Sequence, residues 1–213
     1  MRLLRKIGLL ALVVSSYSNS VQAETFNFSC ITNNIDNDCQ IGEDQIIVDI
    51  LDGGVGYVDF KFTNLGPAQS TISEIYFDDG TLLGLTDIAT SSGGVKFSPG
   101  AKPPDLPGGN TIGFEVTAGF LADADNPAPK KGVNVNEWVT ITFELINGKT
   151  YDDTIAAMGT ELLIGVHVTN FGSGGSESLV APAAGISEVP VPGAAWLFGS
   201  ALLGLAGATR KRA

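Results

Sequence analysis

Tyr57-Val58-Asp59-Phe60-Lys61-Phe62 alternates strictly: Val58, Phe60 and Phe62 fall on one side of an extended chain, and Tyr57, Asp59 and Lys61 on the other. Successive side chains of a strand point to opposite faces, so this stretch reads as a half-buried strand with an aromatic face on a core and a charged face in water. The same texture runs outward in both directions. Thr25-Phe26-Asn27-Phe28 alternates upstream, and β-branched or aromatic stretches at 45–51, 72–77, 81–85, 111–117, 139–145 and 162–168 read as further strands. Turn residues punctuate them at Asp52-Gly53-Gly54, Asp78-Asp79-Gly80, Pro107-Gly108-Gly109-Asn110 and Asn147-Gly148. Of these, Asp78-Asp79-Gly80 and Asn147-Gly148 suit the positive φ of a tight turn. One segment breaks the rhythm. Over 150–158, Asp152 and Asp153 precede Ile155, Ala156, Ala157 and Met158, the order of a short helix with acids at its positive end. About eight strands at short spacing with one helix make the expected fold all-β, a single β-sandwich-like domain over residues 24–187.

The two ends are unlike this body. Arg2, Arg5 and Lys6 precede an apolar run at 7–14 and a polar stretch that closes at Ala23, the three-part layout of a secretory signal over 1–23. The run is too short to span a hydrocarbon core of about 30 Å, so cleavage by signal peptidase after Ala23 is expected. At the other end, Val189-Pro190-Val191-Pro192 leads into an apolar run at 193–208 and then Arg210-Lys211-Arg212. The run reads as a short transmembrane helix, and the basic tail at 209–213 as a cytoplasmic stop. Both ends place the body outside the cytoplasm.

The order Pro190-Val191-Pro192, small residues, Trp196-Leu197-Phe198-Gly199-Ser200, Leu202-Leu203-Gly204-Leu205 and a basic stop resembles the PEP-CTERM sorting signal of Gram-negative bacteria. The likeness covers residues 188–213, with Pro-Val-Pro standing where the family has Pro-Glu-Pro and Glu188 two positions before Pro190. The body is similar to a group of exported proteins of that kind at Ile164-Gly165-Val166-His167-Val168, Phe171 and Gly174-Gly175-Ser176-Glu177-Ser178. Less tightly, Ile75-Tyr76-Phe77-Asp78-Asp79-Gly80 and Gly108-Gly109-Asn110 are similar to it as well. The resemblance implies an inner-membrane-anchored precursor processed by an exosortase at 189–192, a mature form at the cell surface or outside the cell, and association with exopolysaccharide and biofilm. It brings no catalytic residues.

All 23 acidic residues lie between Ala23 and Val189, against six lysines in the same span, so the body carries a formal charge of −17 where the whole chain carries −11. Such a field repels phosphate backbones, which excludes nucleic acid as a partner, and attracts divalent cations and basic polymers. Cys30 and Cys39 are expected to pair in an oxidising compartment, closing a loop of about ten residues worth about 2–3 kcal/mol. Two thiols with no neighbouring histidine make a poor zinc site.

Little in the sequence carries catalysis. His167 is the one histidine, on the strand face opposite Ile164, Val166 and Val168, in an exposed or edge position. Ser173, Ser176 and Ser178 follow it, but Gly172-Ser173-Gly174-Gly175-Ser176 lacks nucleophile-elbow spacing and reads as a flexible connection. Phosphate-binding glycine loops and paired-histidine zinc helices are absent. Calcium is the one candidate ligand, with oxygen-rich clusters at Asn33, Asn34, Asp36, Asn37 and Asp38, at Asp78-Asp79, and at Asp123, Asp125 and Asn126. Asp36 and Asp38 head that list. Trp138, Tyr76 and Tyr151 are the aromatics open to a carbohydrate role. The expected function is a non-enzymatic surface or extracellular-matrix protein, catalytic residues none. The alternative is a secreted carbohydrate-active enzyme or a calcium-dependent carbohydrate-binding module.

Overall fold

The structure is a computed structural model that describes residues 22–79, 83–100, 104–117 and 121–183. Residues 1–21 of the expected secretory signal and the whole of the expected sorting segment, including Val189, Pro190, Val191, Pro192, Arg210, Lys211 and Arg212, lie outside the described residues. No helix among the described residues is long and apolar enough to cross a membrane.

Two antiparallel sheets make the fold. The first runs β1 (Ala23–Asn27), β3 (Ile46–Asp52), β4 (Tyr57–Asn64), β9 (Glu137–Leu145), β6 (Leu83–Ser91). The second runs β2 (Ser29–Cys30), β11 (Glu177–Ala181), β10 (Leu163–Thr169), β5 (Thr71–Asp78), β8 (Leu121–Ala124), β7 (Phe97–Pro99). Alternation sets the register: Phe60 sits opposite Ile50 on one side and Ile141 on the other, and Phe62 opposite Val48 and Val139, all buried. Their partners come from the second sheet. Phe77 meets Phe60, Phe62 and Phe143 edge to face at centroid distances of 5.2, 6.1 and 4.7 Å. Edge-to-face geometry sets ring hydrogens against a neighbouring π-face and adds about 0.5–1.5 kcal/mol per pair to the area buried.

The first strand pair changes sheets at Phe28, which is buried while Asn27 and Ser29 flank it on the two edges. The chain changes sheets again after β4, and there the core accepts polar side chains because each is satisfied. Gln45 Nε2 donates to the Ala68 carbonyl at 2.8 Å and to Ser70 Oγ at 2.6 Å, and Gln45 Oε1 accepts from the Ala68 N–H. Asn64 Nδ2 donates to the Ser70 carbonyl at 3.1 Å, and its Oδ1 accepts from the Gly66 N–H at 3.1 Å. A buried amide left unpaired there would cost several kcal/mol.

Among the described residues three short α-helices replace the single one expected: α1 (Asp38–Gln45), α2 (Ala128–Lys131) and α3 (Tyr151–Ala157). The last falls where the sequence places it. Asn147-Gly148 has the positive φ values foreseen, 57° and 71°, and turns the chain from β9 toward α3. The strand expected over 111–117 does not form. Gly108 and Gly113 both hold positive φ around a 3-10 turn at Gly109–Thr111, and the segment folds over the outer face of the second sheet instead. Leu106 and Phe114 pack there on Tyr76 and Val180. Gly165 makes room, since a Cβ on it would lie 2.6 Å from Leu106.

Candidate functional site

The N-terminal disulfide loop is held by a residue from the far end of the domain. Cys30 ends the edge strand β2, and Cys39 stands in the first turn of α1. They are bonded, with S–S 1.95 Å and Cα atoms 5.4 Å apart. The intervening chain folds back onto β11, where Glu177 is fully buried. Glu177 Oε2 accepts from the Thr32 hydroxyl and from the Asn34 N–H at 2.9 Å, and Oε1 accepts from the Ile35 N–H at 2.9 Å. Burial alone would push this carboxyl upward. The hydrogen bonds from Thr32 and from the backbone of Asn34, Ile35 and Asn33 outweigh it, and the group titrates below the usual carboxylate range. Glu43 adds a second clamp by accepting the Cys30 N–H at 2.8 Å.

Glu177 also approaches the sulfurs. Its Oε2 lies 3.8 Å from Cys30 Sγ, and the ligand atoms of Cys30, Cys39 and Glu177 all fall within 4.8 Å of one another. Among the described residues this is the one group of three or more His, Cys, Asp or Glu gathered so closely. The calcium candidates are arranged differently. Asp38 is buried and accepts from the Ser173 hydroxyl, while Asp36 stays exposed. Asp125 is engaged by Lys96 and by the Ser98 hydroxyl, and Asp78 by the Glu115 N–H at 3.0 Å.

His167 is not on an edge. β11 pairs outside β10, so the histidine sits inside the second sheet, with Ser178 opposite on one side and Glu74 on the other. Its Nδ1 lies 2.7 Å from Glu74 Oε2, and the two side chains are 16% and 11% exposed. This is a base with an orienting carboxylate. The hydroxyl beside it is sealed: Ser178 is fully buried and its Oγ has no hydrogen-bond partner. Ser173 donates its hydroxyl to Asp38, and the Ser176 carbonyl accepts from the Asn34 side-chain amide at 2.8 Å.

The aromatics divide in the same way. Tyr76 is fully buried, and burial together with Glu74, Asp123 and Asp105 holds its phenol far above the ordinary value. Tyr151 donates to the Ile50 carbonyl at 3.3 Å; burial, then the charges of Glu24, Asp152 and Asp52, push it up to about 12. Both are core residues. Trp138 is half-buried with Lys61 Nζ 5.4 Å from its ring centroid, a cation–π contact on the outer face of the first sheet. Ala23 begins β1 opposite Leu51, exposed, and Gln22 before it accepts from the Asp52 N–H at 3.0 Å.

Sequence reasoning quoted Glu177 without a role. The signal was present in its alternation, because Glu177 shares a face with Leu179 and Ala181, and a carboxylate on an apolar face needs donors.

Fold and site together define an all-β domain of two antiparallel sheets, closed at one end by a disulfide loop anchored on a buried carboxylate. No protein-family model, no curated protein and no solved structure matches the chain.

Proposed function

We propose that the chain is an exported, non-enzymatic surface or extracellular-matrix protein, sorted through a PEP-CTERM-like segment at 188–213. Signal peptidase removes 1–23, residues 193–208 hold the precursor in the inner membrane, and an exosortase processes it near Val189-Pro190-Val191-Pro192. Exopolysaccharide is the partner this reading assigns to the mature domain. The observation that carries it is the Cys30–Cys39 disulfide of an acidic body bracketed by two apolar, positively flanked ends. Disulfides persist where glutathione and thioredoxin do not reach, and a body of formal charge −17 suits a hydrated, cation-rich exterior.

The test is expression of the full chain in a Gram-negative host that carries an exosortase, and in the same host with that gene deleted. In the parent, intact mass is expected to begin at Glu24 and to lack the tail, with the protein at the surface or in the medium. In the deletion strain the tail stays on and the protein stays in the inner membrane. Equal mass and location in both strains overturn the sorting reading, and retention of Met1 overturns export.

A further inference from the structure

We propose that the cleft beside the start of α3 binds an amine-bearing hexose unit of a polysaccharide, through carboxylates set around an apolar floor. The site rests on the exopolysaccharide partner given above and adds a sugar class to it.

Shape comes first. The cleft holds about 610 Å³, within the range of small-molecule sites, and opens between the β3–β4 turn and the turn that leads from β9 into α3. Leu145 and Tyr151 line it and belong to the core, 8% and 7% exposed, so the packing between the sheets holds its floor in place. The mouth is different. Val55 of the lining is fully exposed, and Tyr57, two residues on, is 47% exposed. Small-molecule sites join such an apolar lining to a few polar groups that fix orientation. A hexose ring matches that division, with C–H groups on its faces and hydroxyls around its rim.

Charge selects the amine. Asp52 and Asp152 line the cleft and are exposed, and Lys149 is the one cation among the described lining residues. The Tyr151 phenol shows how closely the acids gather: after burial, the charges of Glu24, Asp152 and Asp52 all act to raise it. Their oxygens are open to a ligand. Asp52 Oδ1 accepts from the Gly54 N–H at 2.9 Å, which fixes that carboxylate in its turn and leaves the second oxygen. Asp152 sits in the first turn of α3, where the capping box uses Thr150 and Asp153 instead. An ammonium on the sugar meets such carboxylates in charge-assisted hydrogen bonds, stronger than those of a neutral hydroxyl. A uronate polymer carries the wrong sign, both for this lining and for a body of formal charge −17.

The experiment uses the full chain in detergent, titrated by calorimetry at low salt with β-1,4-linked tetrasaccharides of glucosamine, of N-acetylglucosamine and of mannuronate. The glucosamine tetramer is expected to bind about tenfold more tightly than the acetylated one, and the uronate to give no heat. Asp152→Asn is expected to weaken the glucosamine tetramer about tenfold, with its melting temperature as the check on folding. Lys149→Glu is expected to tighten it about threefold, a gain that a damaged fold does not produce. No heat from the glucosamine tetramer, or an affinity unmoved in both folded variants, overturns the site. Equal or preferred binding of the acetylated or uronate tetramer overturns the amine class and leaves polysaccharide as the partner. The sorting reading is decided separately, by the exosortase deletion.

Discussion

Glu177 faces the same way as Leu179 and Ala181, and a lone carboxylate in such company costs several kcal/mol unless donors surround it. The donors come from the loop between Cys30 and Cys39. The dependence therefore runs both ways: the loop stabilises the charge, and the charge orders the loop. Because the folded group titrates below its unfolded value of about 4.3, its contribution is complete above that value and is lost as pH falls through the lowered folded value. Hydrogen-exchange protection at the Asn34 and Ile35 amides is expected to collapse in that acid window while amides of β4 and β9 stay protected. Glu177→Gln is expected to cost about 1–3 kcal/mol and to flatten that pH dependence, read by denaturant unfolding at several pH values. A similar logic fixes His167, whose partner is a carboxylate 93 residues away.

At the level of elements, α3 carries its own start signal. Asp153 Oδ2 accepts from the Thr150 N–H at 2.8 Å, and the Thr150 hydroxyl accepts from the Asp153 N–H at 3.3 Å, so two otherwise orphaned donors are satisfied reciprocally. Thr150→Ala is expected to cost about 1 kcal/mol and to lower the melting temperature by about 2–4 °C in a calorimetric scan. This helix was readable because its acids and apolar residues are ordered along the chain. α1 was not, since Asp38-Cys39-Gln40-Ile41-Gly42-Glu43-Asp44-Gln45 has no apolar stripe. Tertiary contacts hold it: the disulfide, Glu43 on Cys30, and Gly42 so close to Leu179 that a Cβ would meet its Cδ2 at 2.8 Å. β11 was hidden for the opposite reason, because the Gly/Ser run before it reads as loop. The 111–117 stretch has the composition of a strand, and positive φ at Gly108 and Gly113 diverts it.

Across the whole molecule, the aromatic contacts from Phe77 to Phe60, Phe62 and Phe143 are where the two sheets are bound together. Phe77→Ala is expected to cost about 3–5 kcal/mol, visible as a large shift in urea midpoint with the slope unchanged. The two-sheet architecture was legible because alternation reports which face of each strand is buried. Alternation does not report partners, so strand order stayed out of reach, and with it the meeting of Ile35 and Glu177 across 142 residues. The run from Ala23 to Cys30 supplies the outermost strand of both sheets, one before Phe28 and one after. A single stretch of backbone thus forms one edge of each sheet, and the short lengths of β1 and β2 limit the bare backbone offered to a neighbour's strands. Loss of residues within 23–30 would unzip both edges together and bare β3 and β11 side by side to the strands of other copies.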